Sequence, residues 1–513
     1  MEPLPAWLTP LPDAETMRGV DRWAIDERGV DGLELMERAG AAVVAAVERI
    51  APDGPVGILC GKGNNGGDGL VAARLLRHAG REVTVVCISP PEEYRGDAAS
   101  NFERLPGAPP VALDGFQTDG WAVLIDALLG TGASGAPTGD TASAVEALNA
   151  ADAPVVSVDV PSGVDASRGT VAGTAVKAAA TVTFHAGKPG LWINPGKGLA
   201  GSVEVADIGI PRGAPMAAPI GLIEPSVLGL LPRRGPDSTK FASGHVLVAG
   251  GSRGLSGAPA MAGRAAMRAG AGYVTAFLPQ SLQAIVAASG TPELMTVGCS
   301  ELDSSLAEEA VEAVLEASER GGALALGPGL GRSDGAVSFA RRLARETLLG
   351  MVLDADGLNA HAGRLGELAE RAPGTVLTPH AGELGRLLER DSAQISEERL
   401  AAVLEAASTS RAVVVLKGDD TLIAEPGGRV AVSRGGSPGL ATAGTGDVLT
   451  GVIAAQLSAG VDPFTAAAAG VFMHARAGQL AALSAGAAES VIATDVIEEL
   501  GRARGEAPRE GGA

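Results

Sequence analysis

The strongest chemical signal in this sequence is Asp447, set among glycines in GLATAGTGDVLTGVIAAQLSAG. Gly444 and Gly446 predict a tight turn at a helix N-terminus, where backbone N–H groups converge into an anion hole suited to a transferring or departing phosphate. Asp447 follows directly, placed to take the proton of a substrate hydroxyl as that oxygen attacks phosphorus. A glycine-capped helix start with an acid in its first turn would explain Asp447 more blandly, but not the clustered glycines. Upstream, Lys417-Gly418-Asp419-Asp420-Thr421 closes an apolar strand-like run and offers a cation and donors to a nucleotide phosphate. The alternative is a solvated lysine at a strand end. Only six of the 40 basic residues are lysines, so one inside a motif carries weight.

A second set lies in the first half. The run VGILCG leads into GKGNNGGDGL and then the helical LVAARLLRHAG. Gly61, Gly63 and Gly66 satisfy GxGxxG, which brings backbone amides and a helix N-terminus to a pyrophosphate. Two details separate it from an ordinary dehydrogenase. Asp68, expected in the first helical turn, would repel a nearby phosphate, and the next strand ends in Ser-Pro without the ribose-binding acid. Two further strand ends are polar: IDALLGTGASG carries Asp126, and VDVPSG carries Asp159 and Ser162. In an open α/β sheet such ends form the ligand crevice. Asn65, Asp126 and Ser162 together offer hard oxygen donors with little negative charge, which suits a monovalent or weakly held cation. Each alone would serve equally as a cap or turn residue.

These loops need strands and helices to hold them. Strand-like runs (PVGILCG, REVTVVCIS, WAVLIDALLG, APVVSVDVPSG, ATVTFHAG) alternate with amphipathic helical ones in the first 210 residues, after helices near Thr16–Glu27 and from Leu33 to about Ile50. The turn-rich IPRGAPMAAPIG follows, and a second series opens with GHVLVAGGS and closes with the hairpin-like TLIAEPGGRVAVS and a long Ala-rich helix. The alternation predicts two α/β domains with mainly parallel sheets, residues 1–210 and 223–513, joined by a linker over 211–222. The polar stretch from about Arg502 reads as a frayed tail.

Composition limits the partners. The 513 residues are 46% hydrophobic and carry a formal net charge of −20, which argues against a surface built for nucleic acid or anionic lipid. The 73 glycines and 32 prolines punctuate apolar runs without forming low-complexity tracts, so the chain is expected to fold. Cys60, Cys87 and Cys299 have no metal-ligand spacing and read as reduced thiols. No secretory signal or membrane-length apolar run is visible, and a cytoplasmic protein that forms a homo-oligomer is expected.

NNGGDG, DALLGTG and VDVPSG resemble the epimerase half of the NAD(P)H-hydrate repair family over about residues 12–210. The resemblance implies that Asn64, Asn65, Gly66, Gly67 and Asp68, with Gly130, Thr131, Gly132, Ala133, Ser134, Gly135 and Ala136, surround the hydrated dinucleotide. It puts Asp159 beside the reacting nicotinamide as a catalytic residue, and has Asn65, Asp126 and Ser162 hold potassium. The chain departs from the family at Ala133-Ser134-Gly135-Ala136, where members often carry a bulkier segment. GTGD after a KGxxT strand resembles the ribokinase-like fold. With VLVAGGSRGLSGAPAMAG, GPGLG, LDADGLN and TPHAGE, it looks like the dehydratase half of the same family over about Lys240–Glu499. That resemblance places Ala258, Gly329, His380 and Asp447 on the hydrate, and Lys417 to Thr421 with Gly446 on ADP or ATP, with Mg2+ accompanying the nucleotide.

The expected architecture is therefore an N-terminal Rossmann-like three-layer domain followed by a ribokinase-like α/β domain. The expected activity is epimerisation of the R and S forms of NADHX and NADPHX, with nucleotide-dependent dehydration of the S form. Two other readings compete. A small-alcohol kinase with an accessory nucleotide-binding domain shares GTGD but leaves NNGGDG and TPHAGE without a joint role. A binding module that only senses nucleotides does not need a cation triad. His380 also reads as a satisfied polar residue in a strand–helix turn.

Overall fold

The computed structural model describes residues 3–371 and 374–505. Nineteen strands occur among them: β1 (Leu8–Pro10), β2 (Val56–Cys60), β3 (Val83–Cys87), β4 (Val123–Ala127), β5 (Val155–Val158), β6 (Ala180–Phe184), β7 (Ser202–Ala206), β8 (Ile220–Ile223), β9 (His245–Ala249), β10 (Tyr273–Pro279), β11 (Met295–Cys299), β12 (Glu301–Leu302), β13 (Ser305–Leu306), β14 (Ala323–Leu326), β15 (Gly350–Leu353), β16 (Thr375–Leu377), β17 (Val413–Leu416), β18 (Leu422–Ala424) and β19 (Val430–Val432). The chain divides into two compact units. One contains Pro10–Gly221, and the other contains Pro5–Thr9 together with the chain from Leu222 onward.

The first unit is built on a six-stranded, wholly parallel sheet in the order β3-β2-β4-β5-β6-β7. β2, β4 and β5 are buried along their whole length, as strands covered by helices on both faces must be. The long helix Gly32–Ile50 buries Leu35, Ala39, Val43 and Val47 on one stripe, packed with Val56, Ile58 and Ile125 in one core. The Rossmann-like expectation holds. Because the chain goes from β2 outward to β3 and then returns to β4, the ligand crevice lies at the β2/β4 reversal.

The second unit carries the order β1-β8-β19-β18-β17-β16-β15-β14-β9-β10-β11. β9, β10, β11, β14, β15, β16 and β17 run parallel, and β18 and β19 add the expected antiparallel hairpin. This is the ribokinase-like half.

Three boundary expectations change. Ile220–Ile223 is a buried strand, so the proposed linker over 211–222 ends in sheet. Pro5–Thr9 belongs to the second unit: β1 is the edge strand next to β8, Glu224 N–H donates to Trp7 O at 3.0 Å, and the Trp7 and Phe464 rings meet at 5.7 Å. The first unit is therefore interrupted at residues 5–9, which pack with the second. Arg502 is not a frayed tail either. It lies inside the helix Ala493–Gly505, whose apolar residues Val496, Ile497 and Leu500 are buried; the rest of that tail lies outside the described residues.

The three cysteines are free thiols. No helix among the described residues is long and apolar enough to cross a membrane.

Candidate active sites

In the first unit the polar residues gather at the carboxyl ends of β2, β4, β5 and β6, four neighbours in the sheet. The β2 strand turns at Gly61 into the helix Asn64–His78. A Cβ on Gly66 would sit 1.7 Å from the Gly61 carbonyl oxygen, so the turn requires glycine there. Above it opens a cleft of about 610 Å³ lined by Asn64, Asn65, Asp68, Asp159 and Lys188, and by Gly130 to Ala133. Gly66 and Gly67 build the turn without lining the cleft, and Ser134, Gly135 and Ala136 lie outside its lining. Asp68 belongs to the second helical turn, not the first, since the helix begins at Asn64.

Asp126 and Ser162 lie beneath the cleft, both fully buried. Asp126 accepts from Ser157 Oγ at 2.8 Å, Ser162 N at 2.9 Å, Ser162 Oγ and Leu128 N. Asn65 Nδ2 donates to Leu129 O at 3.0 Å, and Leu129 N donates to Ser162 Oγ at 2.9 Å. All three expected cation ligands thus meet around Leu129. Burial pushes the Asp126 carboxyl upward against the pull of the Ser162 and Ser157 donors. Among the described residues no cationic side chain pairs with it.

Asp159 directly follows β5 with φ of +66°, a left-handed conformation that aspartate adopts at some cost. Oδ1 accepts from Lys188 Nζ at 2.7 Å and Thr183 Oγ1 at 3.2 Å; Oδ2 accepts from Thr131 N at 2.9 Å and from Thr131 Oγ1. Lys188 is 2% exposed and spends its remaining protons on Thr183 Oγ1 and Phe184 O. Burial alone would raise the Asp159 carboxyl, but Lys188 and then Thr131 bring it below its ordinary range. Asp68 shifts the other way, well upward, through burial and then the charges of Asp159 and Asp21. Sequence reasoning missed Lys188, although it is one of the six lysines and follows β6 in HAGKPG.

In the second unit the ends of β14, β15, β16 and β17 meet the N-terminus of the helix Thr445–Ser458. β15 delivers Asp354, which is 2% exposed. Its Oδ1 accepts from Lys417 Nζ at 2.9 Å and its Oδ2 from Thr450 Oγ1 at 2.7 Å. Glu383 Oε2 lies 3.6 Å from the same ammonium. Lys417 is thus neutralised by carboxylates, and Asp354, absent from the sequence expectations, is its principal partner. Burial lowers the Lys417 pKa, but Asp354 and Glu383 outweigh it and the net shift is upward. Gly446 faces this pair: a Cβ there would lie 3.7 Å from Lys417 Nζ and 3.9 Å from Asp354 Oδ2. Asp447 makes no side-chain hydrogen bond among the described residues. Burial, then the charge of Asp354, raise its pKa to about 7.

The other expected contacts divide. Ala258 and Gly329 are neighbours, with the Ala258 methyl 3.1 Å from where a Cβ on Gly329 would stand. His380 caps the helix Ala381–Leu388, its Nδ1 accepting from Gly382 N and Glu383 N, which matches its competing turn-residue reading. Its side chain is still 53% exposed, with Nε2 lying 3.6 Å from Glu383 Oε1. Asp420 is a correction. Its side chain is 1% exposed and bound to Arg399 Nε at 2.8 Å, so it braces the loop from inside and cannot face a nucleotide. The Thr421 hydroxyl is likewise turned back onto Gly418 O at 2.6 Å.

Residues 246–502 match the family model described as NAD(P)H-hydrate dehydratase, and residues 32–190 match that of the YjeF-related protein N-terminus. A bifunctional NAD(P)H-hydrate repair enzyme of Moorella thermoacetica is 40% identical over 96% of this chain and 96% of that protein. The chain belongs to the bifunctional NAD(P)H-hydrate repair enzymes. A second such repair enzyme, from Salinibacter ruber, is 39% identical over 98% of this chain and 97% of its own length. Among solved structures, the ADP/ATP-dependent NAD(P)H-hydrate dehydratase of Bacillus subtilis, co-crystallized with ATP and Mg2+, is 28% identical; it covers 54% of this chain and 94% of its own, with a TM-score of 0.48. In this repair enzyme the Asn-Gly-rich cleft loop lies within the first matched range and the GTGD turn within the second.

Proposed function

We propose that this protein repairs hydrated NADH and NADPH: Pro10–Gly221 interconverts the R and S epimers of NAD(P)HX, and the second unit dehydrates the S epimer with ADP or ATP. The observation that carries the dehydratase reading is Asp447, a half-buried carboxyl with no hydrogen-bonded partner among the described residues, standing at the glycine-rich helix start. Hydroxide is a poor leaving group near neutral pH. Asp447 takes the proton of the C6 hydroxyl as that oxygen attacks the terminal phosphorus of the nucleotide, and the amides of Gly444 to Gly446 receive the charge on phosphate. The ring-nitrogen lone pair then expels phosphate, and loss of a C5 proton restores the reduced ring. Ala258, Gly329 and His380 are proposed to hold the hydrate. Lys417, Gly418, Asp419, Thr421 and Gly446 are proposed to hold the nucleotide, with Asp420 bracing that loop. Mg2+ is proposed to accompany the nucleotide phosphates.

In the epimerase half, Asn64 to Asp68 and Gly130 to Ala136 are proposed to enclose the hydrate, with Asp159 beside its nicotinamide. Asn65, Asp126 and Ser162 are proposed to hold potassium. Their chemistry suits it: the donors are oxygens only, with one negative charge, and that charge is buried without a cationic side chain. Bound there, the ion would supply the missing positive charge. A homo-oligomer in the cytoplasm remains part of the proposal.

The test is to incubate the protein with NADHX and either ADP or ATP. Recovery of the reduced-nicotinamide absorbance, dependent on nucleotide, is expected. A phosphorylated small alcohol with no such recovery would instead favour the kinase reading.

A further inference from the structure

Resting on the epimerase reading above, we infer that Asp68 is the catalytic residue of the first unit, and that Asp159 and Lys188 act as positioning residues. The two carboxyls line one cleft but are differently committed. Asp159 accepts four hydrogen bonds, from Lys188 Nζ, Thr183 Oγ1, Thr131 N and Thr131 Oγ1. A carboxylate has about four acceptor positions, so none is left for a substrate proton. Lys188 is equally spent, its three protons going to Asp159, Thr183 and Phe184 O. The pair is a closed, buried unit.

Asp68 is 8% exposed and makes no side-chain hydrogen bond among the described residues. Asp21 also lines the cleft, and its charge and that of Asp159 face Asp68. Burial first, then these two neighbouring acids against the opposing charge of Lys188, favour the neutral acid at Asp68. A neutral carboxylic acid can donate and accept at once, which an ionised one cannot.

Epimerisation must invert C6 of the hydrated ring, a carbon that bears both a hydroxyl and the ring nitrogen N1. The Asp68 O–H gives its proton to N1 while its other oxygen takes the proton of the C6 hydroxyl. The C6–N1 bond breaks with its electron pair going to N1, and C6 becomes an aldehyde carbon. Rotation about C5–C6 presents the opposite face, N1 adds back, and the two protons return by the same route. Asp68 ends as it began, no oxidant or nucleotide is consumed, and no net charge develops in a site that would penalise it. Asp159, held ionised by Lys188, fixes Thr131 and with it the Gly130–Ala133 wall of the cleft.

The experiment measures R-to-S exchange by the full-length protein, with the nucleotide-dependent dehydration of the S epimer as an internal control. Asp68→Asn keeps the shape and hydrogen-bonding capacity but has no proton to give. Its kcat should fall by about 10²–10⁴-fold with KM within about threefold. Asp159→Asn/Lys188→Met removes both buried charges together, so neither is stranded. That variant should raise KM at least tenfold while kcat falls by less than tenfold. The inference is overturned if Asp68→Asn keeps kcat within tenfold of the parent, if its kcat falls only in proportion to a rise in KM, or if the double variant loses kcat as severely as Asp68→Asn. Failure of the parent protein to exchange the epimers at all would count against the epimerase reading itself, which separates the two.

Discussion

Lys417 Nζ stands 2.9 Å from Asp354 Oδ1, and Thr450 holds the other Asp354 oxygen at 2.7 Å. Asp354 is therefore a fixed negative charge beside the Asp447 carboxyl and, after burial, the larger reason that carboxyl titrates near 7. A base works only when ionised, so dehydration should increase as pH rises through about 7. Asp354→Asn removes the repulsion and should move that acid limb down by about one pH unit. The pH profile of kcat/KM for both proteins checks this; an unmoved limb would detach Asp354 from Asp447.

Asp447→Asn should lower dehydration by about 10²–10⁴-fold and leave epimer exchange intact, because an amide cannot take the hydroxyl proton. It should also stabilise the fold. A carboxyl whose folded pKa is about 7 against an ordinary 3.8 is penalised in the folded state once ionised. The penalty is absent below pH 4, develops between pH 4 and 7, and is complete above 7. Melting curves should show Asp447→Asn gaining on the order of 2–4 kcal/mol at pH 8 and nothing at pH 3.5.

Added potassium should accelerate epimer exchange, and Asn65→Ala or Ser162→Ala should flatten that response relative to sodium at equal ionic strength. Asp126→Ala is a poorer probe. It strands the Ser157 and Ser162 donors in the interior, at about 1–3 kcal/mol each. An undiminished potassium response in both usable variants would remove the cation assignment.

A fragment beginning at Ile223 should melt lower than the second unit does within the whole protein, because it lacks β1 and most of β8. Restoring residues 1–10 ahead of residue 219 through a short Gly/Ser joint should recover most of the loss. Equal melting temperatures with and without β1 would show the edge strand to be dispensable. The fragment ending at Ile210 should exchange epimers without nucleotide.

What could be read from sequence was what is local. A strand, a glycine turn and a helix start lie within a dozen residues, so NNGGDG and GTGD disclosed both loops and the sheet edges that carry them. The antiparallel hairpin β18–β19 was legible for the same reason. Lys188 was not: HAGKPG has no pattern of its own, and its meaning arises only when the chain brings it back to Asp159, 29 residues earlier. Asp354 needs Lys417, 63 residues away, before its role is visible. β1 is three residues, LTP, too short for periodicity to register, and Thr9 finds its partner Glu224 at a separation of 215 residues. Asp420 misled because an acid in a glycine-containing loop looks solvent-facing until Arg399 is seen beneath it.

The most direct test starts from purified R-NADHX and follows both epimers and NADH by chromatography. Without nucleotide, the protein should bring R and S to equilibrium and form no NADH; on adding ADP or ATP, both epimers should drain completely into NADH. Persistence of the R epimer after the nucleotide is supplied, or formation of NADH without it, would contradict the account.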